Sequence, residues 1–188
     1  MKFILASASP RRKELLEQAG IDFEVVVSDV DETLVDGLSP EKQVSRLATK
    51  KTLAVAEKHE EKTVIGADTI VVLGEDILGK PVDDKDAFET LKRLAGKDHQ
   101  VMTAVTIVNK RKNILREFVN ITKVRFFSLE DEWIHSYVKS KEPMDKAGSY
   151  GIQGLGFELV EKIEGDYYSV MGLPISQLKR ELKNLGLI

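Results

Sequence analysis

The chain has 188 residues, 42% hydrophobic and 31% charged, with a formal net charge of −3. That is enough for one large domain or two small lobes with a proper core, and the charge balance argues against nucleic acid or an acidic membrane as partner. There is no cysteine, which excludes disulfides, thiol nucleophiles and thiolate metal sites and is compatible with a cytoplasmic location.

The first apolar run, Phe3-Ile-Leu-Ala6, reads as a short buried strand, too short for a signal peptide or a membrane span. Ser7-Ala-Ser-Pro-Arg-Arg12 follows, with Ser9 as a natural N-cap, Pro10 as the first helical residue and Gly20 as the stop. A strand, a polar turn and a helix N-terminus in succession offer backbone N–H groups and a positive dipole end, which suits an anion. Ser7 and Ser9 add hydroxyls, and Arg11 and Arg12 add fixed charge; Arg12 precedes Leu15 and Leu16 by one helical turn and lies over the apolar stripe. The same residues also fit a solvated arginine pair on a capped helix, and no GxxxxGK phosphate loop occurs.

Phe23 to Val27 is a second strand, and the acidic cluster Asp29, Asp31 and Glu32 lies just past it. Such a cluster is either a solvated loop or a holder of a hard divalent cation, which takes one or two carboxylates plus substrate phosphates. Ser39-Pro40 opens a helix to about His59 with its stripe at Val44, Leu47, Ala48 and Val55. Lys51 falls on that stripe, either to snorkel to the edge or to aim inward at an anion.

Thr63 to Leu73 is a strand apolar on both faces with Gly66, Asp68 and Thr69 set into it. A charge on a buried strand is costly unless it is paired, hydrogen-bonded or facing a ligand cavity, so Asp68 is either an ordinary strand-end residue, half-solvated or capped by a neighbour, or the functional reason for the strand. A hairpin with its loop at Gly74 to Asp76 returns to Lys80, which hairpin register places near Ile70 and so beside Asp68 and Thr69.

Asp83 or Asp84 caps a helix to about Leu94; Val101 to Val108 and Ile114 to Phe127 form a long antiparallel pair; Ser128 caps the helix carrying Trp133, Ile134, Tyr137 and Val138. Asp145 to Gly154 contains three glycines that allow close backbone approach, and Gln153 offers both a donor and an acceptor to a nucleobase edge; taken alone, a purely structural glycine loop fits slightly better. Phe157 to Ile163 reads as a strand, and Gly165 to Pro174 as a loop carrying Tyr167 and Tyr168. The last helix has its stripe at Ile175, Leu178, Leu182 and Leu185.

Four stretches in this order, Ala6-Ser-Ala-Ser-Pro-Arg-Arg12, Gly66-Ala-Asp-Thr69, Lys146-Ala-Gly-Ser-Tyr-Gly-Ile-Gln-Gly154 and Gly165-Asp-Tyr-Tyr-Ser-Val-Met-Gly-Leu-Pro174, give the chain a resemblance to the Maf (septum-formation) family of nucleoside triphosphate pyrophosphatases. The resemblance implies one domain over residues 1–188 with an α/β fold: a two-lobed mixed sheet with flanking helices, like that of inosine triphosphate pyrophosphatases, with the active-site cleft between the lobes. It implies hydrolysis of a nucleoside triphosphate to the monophosphate and pyrophosphate with Mg2+ or Mn2+, and a cytoplasmic homodimer in nucleotide-pool housekeeping, linked by the family name to cell division. The catalytic proton acceptor falls on Asp68, with Lys51 and Lys80 beside the phosphates. Base selection falls on Arg11, Thr69 and Gln153, phosphate handling on Ser7 and Arg12, and metal binding on Glu32 and Asp68. Thr69 after the aspartate resembles the branch that takes dTTP and UTP. Two rivals to this expectation are another phosphate-ester hydrolase on the same residues and a nucleotide-binding regulator of septum formation without turnover.

Overall fold

The computed structural model describes residues 2–188. Seven strands form one mixed sheet in the order β2-β1-β3-β5-β6-β7, with β4 paired to β3. They are β1 (Phe3–Leu5), β2 (Phe23–Val25), β3 (Val64–Leu73), β4 (Asp76–Leu78), β5 (Asp98–Asn109), β6 (Ile114–Phe126) and β7 (Val160–Glu164). Among the described residues six α-helices accompany them: α1 (Pro10–Gln18), α2 (Pro40–Ala56), α3 (Asp84–Leu94), α4 (Asp131–Lys139), α5 (Tyr167–Met171) and α6 (Ile175–Asn184). The chain divides into two compact units, one of Met1–Asp68, Thr103–Asn120 and Gly172–Ile188, the other of Thr69–Met102 and Ile121–Met171.

In the first unit β1 pairs in parallel with both β2 and β3. Each parallel step needs a crossover, and α1 and α2 supply them. Since β2 and β3 flank β1 on opposite sides, the chain reverses direction across the sheet at β1, the place where open α/β sheets offer a crevice at their carboxyl ends. Ile4, Ala6, Val55, Ala56, Val64 and Val108 form a core cluster here, and Val26 packs on it. In the second unit a larger cluster joins Leu91 and Leu94 of α3, Val124 and Phe126 of β6 and Ile134, Tyr137 and Val138 of α4.

Several boundaries differ from the sequence expectation for identifiable reasons. The β3–β4 turn is the two residues Gly74-Glu75, because Asp76 pairs with Leu73, and Gly74 supplies the positive φ of 65° that such a turn requires. The ladder ends at Leu78 opposite Val71, so the expected pairing of Lys80 near Ile70 does not form. Ser128 does not cap α4: the Phe127 backbone is already engaged with Gly96 and Leu159, which holds the chain extended until Glu130 takes the N-cap position. The strand expected from Phe157 starts at Val160, after a 3-10 turn over Gly154–Glu158. The expected loop after Gly165 contains α5, begun by Asp166, whose carboxylate accepts from Tyr168 N at 2.8 Å.

His99 on β5 is 3% exposed, its Nε2 lies 2.8 Å from the Tyr150 hydroxyl, and Phe126 meets its ring edge-on. Burial pushes its pKa down to about 4, against the opposing pull of the Asp98 carboxylate. A lowered folded-state pKa means that only the unfolded chain takes up this proton between pH 6.5 and 4. The contribution of His99 to stability is therefore complete above pH 6.5 and is lost through that window, by about 3 kcal/mol at the limit. Urea midpoints measured from pH 7 downward will show a shallower fall in His99→Leu than in the parent; parallel curves would refute the assignment.

Candidate active site

The site in the first unit begins with the register of β1 and β3. Leu5 pairs with Ile65, so the turn after β1 and residues Ala67 and Asp68 of β3 leave the ladder on the same side. Ser7 is 8% exposed and Asp68 also 8%, both polar groups in an otherwise apolar setting. Ser9 takes N-cap geometry without a side-chain capping bond, and Pro10 sets the first turn of α1 as expected.

Arg12 is buried, as its place over Leu15 and Leu16 requires. Its Nε donates to Gly172 O at 2.8 Å and its Nη1 to Ser7 Oγ at 3.0 Å. The Ser7 hydroxyl also accepts from Ser9 N at 3.2 Å, so hydroxyl, guanidinium and turn backbone form one group. Burial pulls the Arg12 pKa below its ordinary value; Asp68 works the other way, Arg11 adds to the fall and Glu32 opposes it. That the charges of Asp68 and Glu32 act on Arg12 places all three within electrostatic reach. Arg11 is half-buried on the same turn.

Lys51 settles the question its position raised. It aims inward, its Nζ 2.7 Å from Asp68 Oδ1 and 2.6 Å from Glu32 Oε2, with the Lys51 side chain 13% exposed and Glu32's 58%. One ammonium thus joins the strand carboxylate to the acidic loop. Gly66 permits this: a Cβ there would lie 2.0 Å from Thr52 Oγ1, so α2 lies against β3 closer than any side chain would allow.

The acidic loop is ordered by residues the sequence reading passed over. Gln43 on α2 is buried and donates to Val35 O while accepting from Val35 N at 3.2 Å, as a strand neighbour would. Arg46 donates to Thr33 O, and Lys50 to Asp31 O at 2.7 Å. The signal was available: Gln43, Arg46 and Lys50 recur at helical spacing on one face of α2. Asp31 accepts from Thr33 N and Oγ1 and so shapes the loop, whereas Glu32 is the carboxylate turned to Lys51.

The donor chemistry suits a hard divalent cation. Asp68 and Glu32 both reach the Lys51 ammonium, so the two carboxylates lie near one another, and a cation such as Mg2+ takes one or two carboxylates and completes its shell with phosphate and water. Among the described residues no group of three or more His, Cys, Asp or Glu forms an all-protein cage, so a cation here would need substrate oxygens as well.

In the second unit, Thr69 follows Asp68 on β3 and is half-buried. Lys80 is exposed, two residues beyond the end of the ladder. The glycine loop comes to it through the backbone: Gly148 N donates to Gly79 O at 2.9 Å, and a Cβ on Gly148 would strike Val71 Cγ2 at 2.8 Å. Gln153 is half-buried just before the Gly154–Glu158 turn. Tyr167 and Tyr168 are each 40% exposed and pack edge-to-face with each other.

With this geometry in place, comparison with known proteins is informative. A family model described as "Maf-like protein" matches residues 2–185. A Bacillus cytotoxicus protein named dTTP/UTP pyrophosphatase is 56% identical over 182 residues, which are 97% of this chain and 94% of that protein. A Bacillus cereus protein of the same name is 54% identical over 186 residues, covering 99% and 96%. Among solved structures, a HAM1 protein from Coxiella burnetii has the same fold, with a TM-score of 0.54 at 12% identity over 98% of this chain and 99% of that one. The chain belongs to the Maf family.

Proposed function

We propose that this chain hydrolyses dTTP and UTP to the monophosphate and pyrophosphate. The observation that carries the reading is the Asp68–Lys51–Glu32 bridge within electrostatic reach of buried Arg12, which joins a carboxylate for proton transfer to a cluster ready for an anion. The name of the Bacillus relatives supports the choice of nucleotides.

In this reading Ser7, Arg12 and the backbone N–H groups that open α1 hold the triphosphate. Asp68 accepts a proton from the water that attacks the α-phosphorus, a new P–O bond forms there, and the α–β phosphoanhydride breaks with pyrophosphate leaving. Lys51 keeps the Asp68 carboxylate in place, and with Lys80 it offsets charge that grows as the bond breaks, the main demand of phosphoryl transfer. Mg2+ or Mn2+ held by Glu32, Asp68 and phosphate oxygens would neutralise charge and acidify the attacking water. Arg11, Thr69 and Gln153 select the base. We further propose a homodimer in the cytoplasm, a reading supported by the family resemblance and, for the location, by the cysteine-free composition. Among the described residues no helix is long and apolar enough to cross a membrane.

A panel of canonical and modified triphosphates with Mg2+ or Mn2+ tests this. Pyrophosphate is the expected product, fastest from dTTP and UTP. Orthophosphate as first product would mark a phosphatase instead, and no turnover of any triphosphate would mark a binding regulator.

A further inference from the structure

The backbone on both sides of Gln153 is held by two side chains to which neither the resemblance nor the chemistry above gives a role. Tyr137 ends the apolar face of α4 and is 2% exposed. Past α4 the chain reverses at Lys141, which takes a left-handed φ of 65°, and Glu142 folds back under the tyrosine. The Tyr137 hydroxyl donates to Glu142 Oε1 at 3.0 Å and accepts from Gly151 N at 3.2 Å. The Glu142 carboxylate accepts from Leu155 N at 3.0 Å and Gly156 N at 3.2 Å. One phenol and one carboxylate therefore hold residues 151, 155 and 156, leaving Gln153 at the tip between them.

The backbone confirms how closely that loop is drawn together. A Cβ on Gly156 would lie 1.8 Å from Gly151 O, so the two ends of the loop touch. A Cβ on Gly154 would lie 2.6 Å from Glu142 Oε2, so the carboxylate lies directly under the turn. Amides bonded to a carboxylate are among the stronger hydrogen bonds, and a buried phenol bridging them resists distortion. Burial raises the Tyr137 pKa, with Glu142 adding to the rise and the Gly151 bond opposing it, so the hydroxyl keeps the proton that it donates.

We propose that Tyr137 and Glu142 are positioning residues for base selection, fixing the loop that carries Gln153. The proposal rests on the reading that Gln153 meets the base. A glutamine amide can offer either order of donor and acceptor, so discrimination between uracil or thymine and cytosine depends on where the loop tip is held.

The test uses the full-length protein and kcat and KM for dTTP, UTP and CTP in Tyr137→Phe, Glu142→Gln and Gln153→Ala. Tyr137→Phe keeps the ring packing and removes the bridge; Glu142→Gln keeps the shape and removes one acceptor oxygen. Each is expected to lower the preference for dTTP and UTP over CTP about tenfold, the effect of roughly one hydrogen bond, through KM, with kcat changed by less than about threefold. Gln153→Ala is expected to lose the same preference, and adding Tyr137→Phe to it is expected to cost no further selectivity. Selectivity lost in Gln153→Ala but kept in both Tyr137→Phe and Glu142→Gln would overturn this proposal alone. Selectivity kept in Gln153→Ala would overturn it together with the reading of Gln153. A uniform loss of kcat for all three nucleotides would assign the pair a merely structural role and also overturn it.

Discussion

Asp68→Asn is expected to bind dTTP with an affinity close to the parent's and to turn it over about 10²- to 10⁴-fold more slowly, the usual contribution of a positioned proton acceptor. Asp68 is nearly buried on β3 and pairs with Lys51, which also holds Glu32. An amide at position 68 keeps the shape and can still accept from Lys51, so the structural part of the interaction survives while proton acceptance is lost. Affinity by calorimetry with a non-hydrolysable analogue and turnover by pyrophosphate release separate the two. Near-normal kcat in Asp68→Asn would remove the carboxylate from the chemistry and leave it as an anchor for Lys51.

Gly66→Ala is expected to lower kcat more than about tenfold and to cost about 1–3 kcal/mol of stability, the range for overpacking a filled core. The added methyl would lie 2.0 Å from Thr52 Oγ1 and 3.1 Å from Thr52 Cβ. Thr52 is fully buried and its hydroxyl donates to Ala48 O at 2.6 Å, so it has no room to turn away and α2 must move instead. Moving α2 carries Lys51 off Asp68 and slackens the bonds from Gln43, Arg46 and Lys50 to the acidic loop. Adding Thr52→Ala removes the nearest clashing atom and is expected to restore part of both activity and the urea midpoint. A Gly66→Ala protein with parental activity would show that α2 can shift without disturbing the site.

That Asp68 needs a partner was legible because its cost was legible: a carboxylate among Val64, Ile65, Ile70 and Val71 needs a reason, and helical spacing put Lys51 and Arg12 on the apolar stripes of their helices. The Ser7–Arg12 turn was legible for the same kind of reason, a capping pattern with charge in the wrong turn. Which carboxylate Lys51 would meet was not legible, because the acidic loop owes its position to Gln43, Arg46 and Lys50 on a helix several residues away in sequence. The Lys80 register was off by one residue because Asp76 pairs with Leu73 instead of lying in the loop, and the ladder stops at Leu78, since nothing local marks where a ladder ends. Phe157 and Glu158, the end of the Gly154–Glu158 turn, were read as strand because the turn is capped from Glu142, a tertiary partner that no window of sequence displays. The start of α5 was readable in principle, as Asp166 two residues before Tyr168 is an ordinary capping signal.

The protein also carries its own optical probe. Its single tryptophan, Trp133, stacks on Tyr137 with ring centroids 5.2 Å apart, and its indole N–H donates to Glu158 at 2.7 Å. The indole thus touches one of the two side chains that hold the Gln153 loop and the last residue of the turn that follows it. Selective excitation of this one fluorophore reads that loop without a label, since emission from an indole follows the polarity and hydrogen bonding around it. Titrating a nucleotide while watching Trp133 will therefore report in real time whether the loop moves when a base arrives, and the absence of cysteine leaves the chain open to a second, chemically attached dye for distance measurements.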